Sequence, residues 1–158
     1  MPDEAIPQRF ELSVVIDASA ERVWRSLTST GTTADWRGEP EMDIEVETTW
    51  EVGSPVTVRA FHIVRQEMTG MVLEAEPPHR LVYTHRSSVS RLPDGPSSYT
   101  TLDFRLAPAG ERTTLTLVAT GFPTRTIYKH IEFYWRETLG CLKRHAEEEP
   151  GRVWTGVA

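Results

Sequence analysis

The feature that most constrains the fold is an alternation of apolar and polar residues through much of residues 41–121. A period of two places apolar side chains on one face of an extended strand, so the alternation predicts β-strands. The stretch EMDIEVET shows the pattern, since Met42, Ile44 and Val46 alternate with acidic residues. Turn-rich stretches such as EVGSP, VSRLPDGPS and AGER separate the strands. The region therefore predicts an antiparallel meander with one solvent-facing side.

The residues before this region predict a first strand followed by two short helices. The stretch RFELSVVI is rich in β-branched residues and alternates well enough to form a strand. In DASAERVWRSLT, Asp17 and Ser19 are candidate N-caps, and Val23 and Leu27 belong to a single apolar stripe. The turn-rich stretch STGTTADWRG carries Trp36 and predicts the second, shorter helical turn.

The last predicted element is a long amphipathic helix within TRTIYKHIEFYWRETLGCLKRHAEEEP. Its apolar face comprises Ile127, Ile131, Tyr134, Trp135, Thr138, Leu142 and Ala146. About twenty residues at a rise of 1.5 Å give roughly 30 Å, which is long enough to cross a curved sheet. The order of elements therefore predicts an α+β fold, in which about six to seven antiparallel strands wrap around one long C-terminal helix.

Length, charge and cysteine content indicate the domain organisation, partners and location of the protein. At 158 residues the chain predicts a single domain over 1–158, with a core over about 10–147 and a C-terminal tail over 148–158. The net charge of −6 argues against a nucleic-acid partner, and no segment is apolar enough for membrane insertion. The single cysteine, Cys141, cannot form an internal disulfide, so we expect a cytoplasmic location.

Several motifs in succession resemble the START-like (SRPBCC) superfamily. They are VIDASAERVWRSLT, DWRG, VGSP, GMVLEAEPPHRLVYT, TTLDFRLAPAGERTTLTL and YWRETLGCLK, and they are similar to the branch named after the activator of Hsp90 ATPase homologue. The resemblance implies a helix-grip architecture with an elongated cavity between the long helix and the sheet. It implies no single activity, because relatives bind lipids or other hydrophobic molecules, cyclise polyketides or assist a chaperone. Many relatives carry tryptophan near the position of His85, where this chain differs.

The predicted binding residues lie on the inward faces of the strands and the long helix, with one more at the entrance. They are Trp36, Val58, His62, Tyr83, His85, Leu102, Phe104, Leu117, Ile131, Tyr134 and Trp135. Small-molecule sites are mostly apolar with a few directed polar groups, so this mixture predicts binding of a small hydrophobic or aromatic molecule. The same residues would equally suit a closed core, because residue type and spacing alone do not separate core from pocket.

Two alternative functions stay open. A polyketide cyclase or dehydratase would use His85 and Tyr83 to move protons. A chaperone-associated or regulatory interaction module, such as a homodimer, would use the outward Phe133 and the apolar tail RVWTGVA. No catalytic residue, cofactor or metal site is predicted, because the histidines lack ligand spacing and no nucleophile or phosphate-binding motif is present. His130 is interpreted as a surface residue.

Overall fold

The computed structural model describes residues 6–30, 36, 43–62, 64–87, 95 and 98–148, without the side chains of residues 62, 64 and 87. The strands are β1 (Arg9–Ile16), β2 (Glu45–Glu47), β3 (Pro55–His62), β4 (Val64–Glu76), β5 (Arg80–Ser87), β6 (Thr100–Ala109) and β7 (Arg112–Thr120), and the helices are α1 (Ala20–Thr28) and α2 (Arg125–Glu147). This order confirms the predicted α+β class with a short helix after the first strand. The second short helix was predicted around Trp36, and apart from Trp36 itself that stretch lies outside the described residues.

All seven strands form one curved antiparallel sheet in the order β1-β7-β6-β5-β4-β3-β2. The strands β2 to β7 follow each other as the predicted meander, and β1 joins at the far edge beside β7. Antiparallel pairing places inward side chains directly opposite each other, as with Tyr83 and Leu102 or Phe104 and Leu117. The inward face is therefore a continuous apolar surface that α2 covers.

Helix α1 begins at a side-chain cap. Of the two candidate N-caps, Ser19 holds this position, because its hydroxyl accepts a hydrogen bond of 3.2 Å from the backbone N–H of Arg22. The other candidate, Asp17, instead donates its backbone N–H to a carboxylate oxygen of Glu147 at 2.8 Å. This bond ties the end of β1 to the last turn of α2.

Helix α2 is capped by Thr124, whose hydroxyl accepts from the backbone N–H of Ile127 at 3.1 Å. Near its C-terminal end the core is filled, since Leu106, Leu115 and Leu142 are all buried. The outer face of the helix carries Phe133, which is 66% exposed. Within the described part of the chain, neither helix has the length and apolar character needed to cross a bilayer.

Candidate functional site

A cavity of about 300 Å³ lies between the sheet and the N-terminal half of α2. Part of this space exists because three inward residues of β3 have short side chains. They are Val56, Val58 and Ala60. The full wall comprises Ile44, Val56, Val58, Ala60, Gln66, Met68, Tyr83, Thr84, His85, Arg86, Ser98, Thr100, Leu102, Thr126, Ile127, His130, Ile131, Tyr134 and Trp135. The helix residues in the wall, from Thr126 to Trp135, all belong to the N-terminal half of α2.

The structure brings most of the predicted binding residues into this wall. They are Val58, Tyr83, His85, Leu102, Ile131, Tyr134 and Trp135. They were predicted because they lie on the inward-facing side of a strand or on the apolar face of the helix, and both patterns hold in the folded protein. Their contact with a bound molecule is still a prediction.

Three other predicted residues lie in the core and not in the wall. Phe104 and Leu117 are fully buried, and the Phe104 ring lies between Tyr83 and Trp135, with centroids 6.0 Å and 5.2 Å away. Trp36 was expected at the entrance, but it is 2% exposed with its ring 6.4 Å from that of Trp135. Phe104 and Leu117 have the predicted inward direction, but they do not line the cavity. His62 belongs to β3, and its side chain lies outside the described residues.

Aromatic rings form a continuous row that joins residues of the wall to the core. The Trp50 ring lies 5.3 Å from that of Tyr83, and Trp135 lies 5.2 Å from Tyr134. Trp50 has a positive φ of 61°, and its indole N–H donates to the carbonyl of Thr28 at 2.7 Å. A non-glycine residue rarely adopts this conformation, so the surrounding contacts hold it in place. The row fixes the orientation of Tyr83 and Trp135 before any guest binds.

Strand β5 exposes residues of both parities to the cavity, which the alternation did not predict. Thr84 and Arg86 line the wall together with His85. The ladder between β4 and β5 is irregular here, and the backbone N–H of Met71 donates to the hydroxyl of Thr84 at 3.0 Å. Gly70 permits this close approach, because a Cβ added there would overlap the backbone carbonyl of Thr84. No local pattern signals this irregularity except the glycine itself within a strand.

The wall has two chemically different sides. The side formed by β3 and by Ile44, just before β2, is apolar, as Val56 and Val58 also show. The opposite side contains His85 and Arg86 together with hydroxyl side chains, and the first turns of α2 add more polar groups. His130 belongs to this polar part: it is solvent-exposed, as predicted, and it also lines the cavity. The sequence could have indicated this position in the wall, because His130 follows Ile127 by three residues and so lies on the same side of α2.

A buried carboxylate stabilises the sheet behind the wall. Asp103 is 7% exposed, and its Oδ2 lies 2.9 Å from Nη2 of Arg80 and 2.9 Å from Nη2 of Arg105. Burial raises the pKa of Asp103, but the hydrogen bonds from Arg80 and Arg105 outweigh this effect and hold the pKa below its usual value. Because Asp103 lies between Leu102 and Phe104, its ion pair with Arg80 joins β5 to β6 directly behind the aromatic row, and Arg105 adds a second ion pair within β6.

Residues 17–147 match the family described as activator of Hsp90 ATPase homolog 1-like protein. The chain belongs to this family. The predicted resemblance is thus confirmed at the level of family and fold. A comparison with curated proteins finds no significant match.

Solved structures share the fold at low sequence identity. Protein CV1439 from Chromobacterium violaceum is 22% identical, with a TM-score of 0.76 over 91% of this chain and 100% of its own. Protein ChR145 from Cytophaga hutchinsonii is 23% identical, with a TM-score of 0.73 over 94% of this chain and 99% of its own. DynU16, a protein of the dynemicin biosynthetic locus, is 22% identical, with a TM-score of 0.68 over 90% of this chain and 48% of its own. Identities this low establish the fold alone.

Proposed function

We propose that this protein binds a small hydrophobic or aromatic molecule in the cavity between α2 and the sheet. The observation that carries the proposal is the cavity itself, with a volume of about 300 Å³ and a largely apolar wall. Small-molecule sites are concave, mostly apolar and equipped with a few polar groups, and this volume is at the lower end of their range of about 300–1,000 Å³. The guest is therefore a compact molecule.

The rigidity of the wall supports binding of a flat ring system. Tyr83 is 2% exposed and Trp135 is 3% exposed, and both rings contact Phe104, which does not line the cavity. A wall that is already ordered loses little side-chain entropy when a guest enters. Aromatic faces also favour ring guests through offset and edge-to-face contacts.

A neutral fluorescent probe and one cavity-filling variant test the proposal. N-phenylnaphthylamine should bind the wild-type protein saturably, and its fluorescence should rise as it leaves water. Ala60→Phe places a ring in the cavity and should weaken this binding by about tenfold or more. Thr57→Phe is the matched control, because Thr57 lies on the same strand with the opposite parity and is absent from the wall.

Equal affinity of the Ala60→Phe variant and the wild type would contradict binding in this cavity. Both variants should first show wild-type circular dichroism, so that lost binding is not lost folding. Native mass spectrometry of freshly purified protein provides an independent check, since a retained small molecule would have the mass of the natural guest.

A polyketide cyclase or dehydratase is the second candidate, because Tyr83 and His85 lie two residues apart on β5 and both line the cavity. DynU16 from a biosynthetic locus has the same fold. Here His85 would transfer protons beside the Tyr83 hydroxyl during cyclisation of a bound polyketone. His85→Phe should then abolish turnover and retain guest binding, whereas unchanged turnover would reject this role.

Partners and location are further parts of the proposal. The family name supports a chaperone partner, and the exposed Phe133 is the described residue that favours a regulatory or homodimeric contact. The apolar tail expected to contribute lies at residues 149–158, outside the described residues. Sedimentation velocity over a hundredfold concentration range would reveal a dimer as a rising sedimentation coefficient.

We place the protein in the cytoplasm as a single domain, in keeping with its single cysteine.

A further inference from the structure

We infer that the guest carries an anionic oxygen group, such as a carboxylate, and that this group binds on the side of the cavity formed by His85, Arg86 and His130. The inference rests on the proposed function, because it assigns one end of a molecule whose apolar part occupies the same cavity. It adds a chemical class that the shape of the cavity alone does not specify: an amphipathic acid with a compact apolar body.

The charge of the wall is the first observation. The whole chain has 23 acidic and 17 basic residues, excluding histidine, and a net charge of −6. Among the described residues that line the cavity, however, Arg86, His85 and His130 are present and no aspartate or glutamate is. A concave site with low-dielectric walls concentrates the potential of the charges that line it. An acidic protein thus has a cavity that favours anions.

The basic side is formed where several chain segments meet at one end of the sheet. His85 pairs with Thr100 at the start of β6. The hydroxyl of Thr100 in turn donates to the carbonyl of Gly121 at 3.2 Å, just after β7 and shortly before α2 begins at Arg125. The start of α2 therefore follows closely on the strand end beside His85, and Arg86 from the sheet and His130 from the helix both line the cavity.

The start of α2 adds to the positive potential at this end. Helix N-termini carry a partial positive charge that favours anions. The first turn of α2 contains no acidic residue that would offset this charge, and Thr126 from this turn lines the cavity. The hydroxyl groups of Ser98 and Thr126 add hydrogen-bond donors in the wall, whereas the Thr100 hydroxyl already donates to Gly121.

Arg86 is suited to hold an oxyanion. Its guanidinium carbon lies 5.7 Å from the centre of the Tyr99 ring, a cation–π distance that restrains the side chain. Guanidinium stays charged at all physiological pH values and presents planar pairs of donors that match a carboxylate. With Ile44 and β3 supplying an apolar surface, the two parts of the cavity wall recognise the two ends of an amphipathic acid.

Two probes that differ by a single anionic group test the inference. Anilinonaphthalene sulfonate is N-phenylnaphthylamine with one added sulfonate, so the ratio of the two dissociation constants isolates the contribution of the anion. We expect the wild type to bind the sulfonate at least about tenfold more tightly, in line with hydrogen bonds to charged groups. Ala60→Phe should weaken both probes, which places both in the same cavity.

Arg86→Gln should weaken the sulfonate by about tenfold or more and leave the neutral probe within about twofold of wild type. Arg112→Gln, at an exposed position of β7 outside the wall, is the matched control and should change neither probe. Retained binding of the neutral probe shows that Arg86→Gln is folded. If this variant does not fold, the probe ratio of the wild type still decides the question.

Different results separate the two proposals. Equal affinity of the wild type for both probes would overturn the anionic end and leave the hydrophobic site intact. An equal loss of both probes in Arg86→Gln would also overturn it, since Arg86 would then be needed only for the wall structure. Failure of the wild type to bind either probe would overturn the proposed function and, with it, this inference.

Discussion

Alanine at Gly70 and alanine at Gly140 should change stability in opposite directions. Gly140 lies on the exposed face of α2, and a Cβ added there meets no atom within 4 Å. Glycine in a helix interior costs about 1 kcal/mol relative to alanine. Gly140→Ala should therefore raise the free energy of unfolding by about 1 kcal/mol, which corresponds to about 2–4 °C in Tm for a domain of this size.

Gly70 lies on β4, where an added Cβ would overlap the carbonyl of Thr84 and lie 3.0 Å from its hydroxyl oxygen. The carbonyl is backbone, so relief of the overlap requires β5 to move. Overpacking of this kind costs about 1–3 kcal/mol, whereas the reduced entropy of the unfolded chain returns less than about 1 kcal/mol. The clash prevails, and Gly70→Ala should lower the free energy of unfolding by about 1–2 kcal/mol.

Equilibrium urea unfolding, followed by the fluorescence of the five tryptophans, measures both changes. The midpoints should move in opposite directions while the slopes stay near the wild-type value. Movement of β5 would also displace Thr84 and His85 in the cavity wall, so Gly70→Ala should weaken N-phenylnaphthylamine binding and Gly140→Ala should not. A Gly70→Ala variant as stable as the wild type would refute the close approach of β4 and β5.

Two further substitutions test the supports behind the cavity. Asp103→Asn should cost about 1–3 kcal/mol at pH 7, because it removes charged hydrogen bonds to Arg80 and Arg105. Folding lowers the pKa of Asp103, so the stability that its carboxylate adds is complete above the usual carboxyl pKa of about 3.9 and is lost as the pH falls through the folded value. The difference in unfolding free energy between wild type and variant, measured by urea titration, should therefore shrink below about pH 4. A difference that stays constant with pH would contradict the ion pairs. Trp50→Phe should cost about 1 kcal/mol, because it keeps a ring beside Tyr83 and loses the hydrogen bond to Thr28; a thermal midpoint equal to that of the wild type would show that this hydrogen bond adds nothing.

Part of the candidate site could be predicted because inward direction is a local property. Tyr83 and His85 share a parity on β5, and Ile131 and Trp135 share a stripe on α2, so each pair points to the same side in any packing of these elements. Phe104 and Leu117 show where this reasoning stops. They point inward as predicted and are fully buried, but they do not line the cavity, and only the position of the helix over the sheet decides that.

The backbone irregularity beside Gly70 limited the prediction of the polar side. A regular strand would turn Arg86 away from the surface that carries His85, yet both line the cavity. The interrupted ladder between β4 and β5 allows this arrangement, and strand pairing is a contact between distant parts of the chain. His130 was assigned to the surface for a related reason, since exposure on a helix does not reveal a cavity opening beside it.

The sequence by itself determined the elements, because the period of apolar residues selects strand or helix and the face that each element buries. It also determined the family, through the succession of motifs that resemble it. Tertiary structure alone decided that β1 pairs with β7, that short side chains on β3 leave a space beneath the N-terminal half of α2, and that His85, Arg86 and His130 all line it. Those features depend on distances between residues far apart in the chain, which no local period encodes.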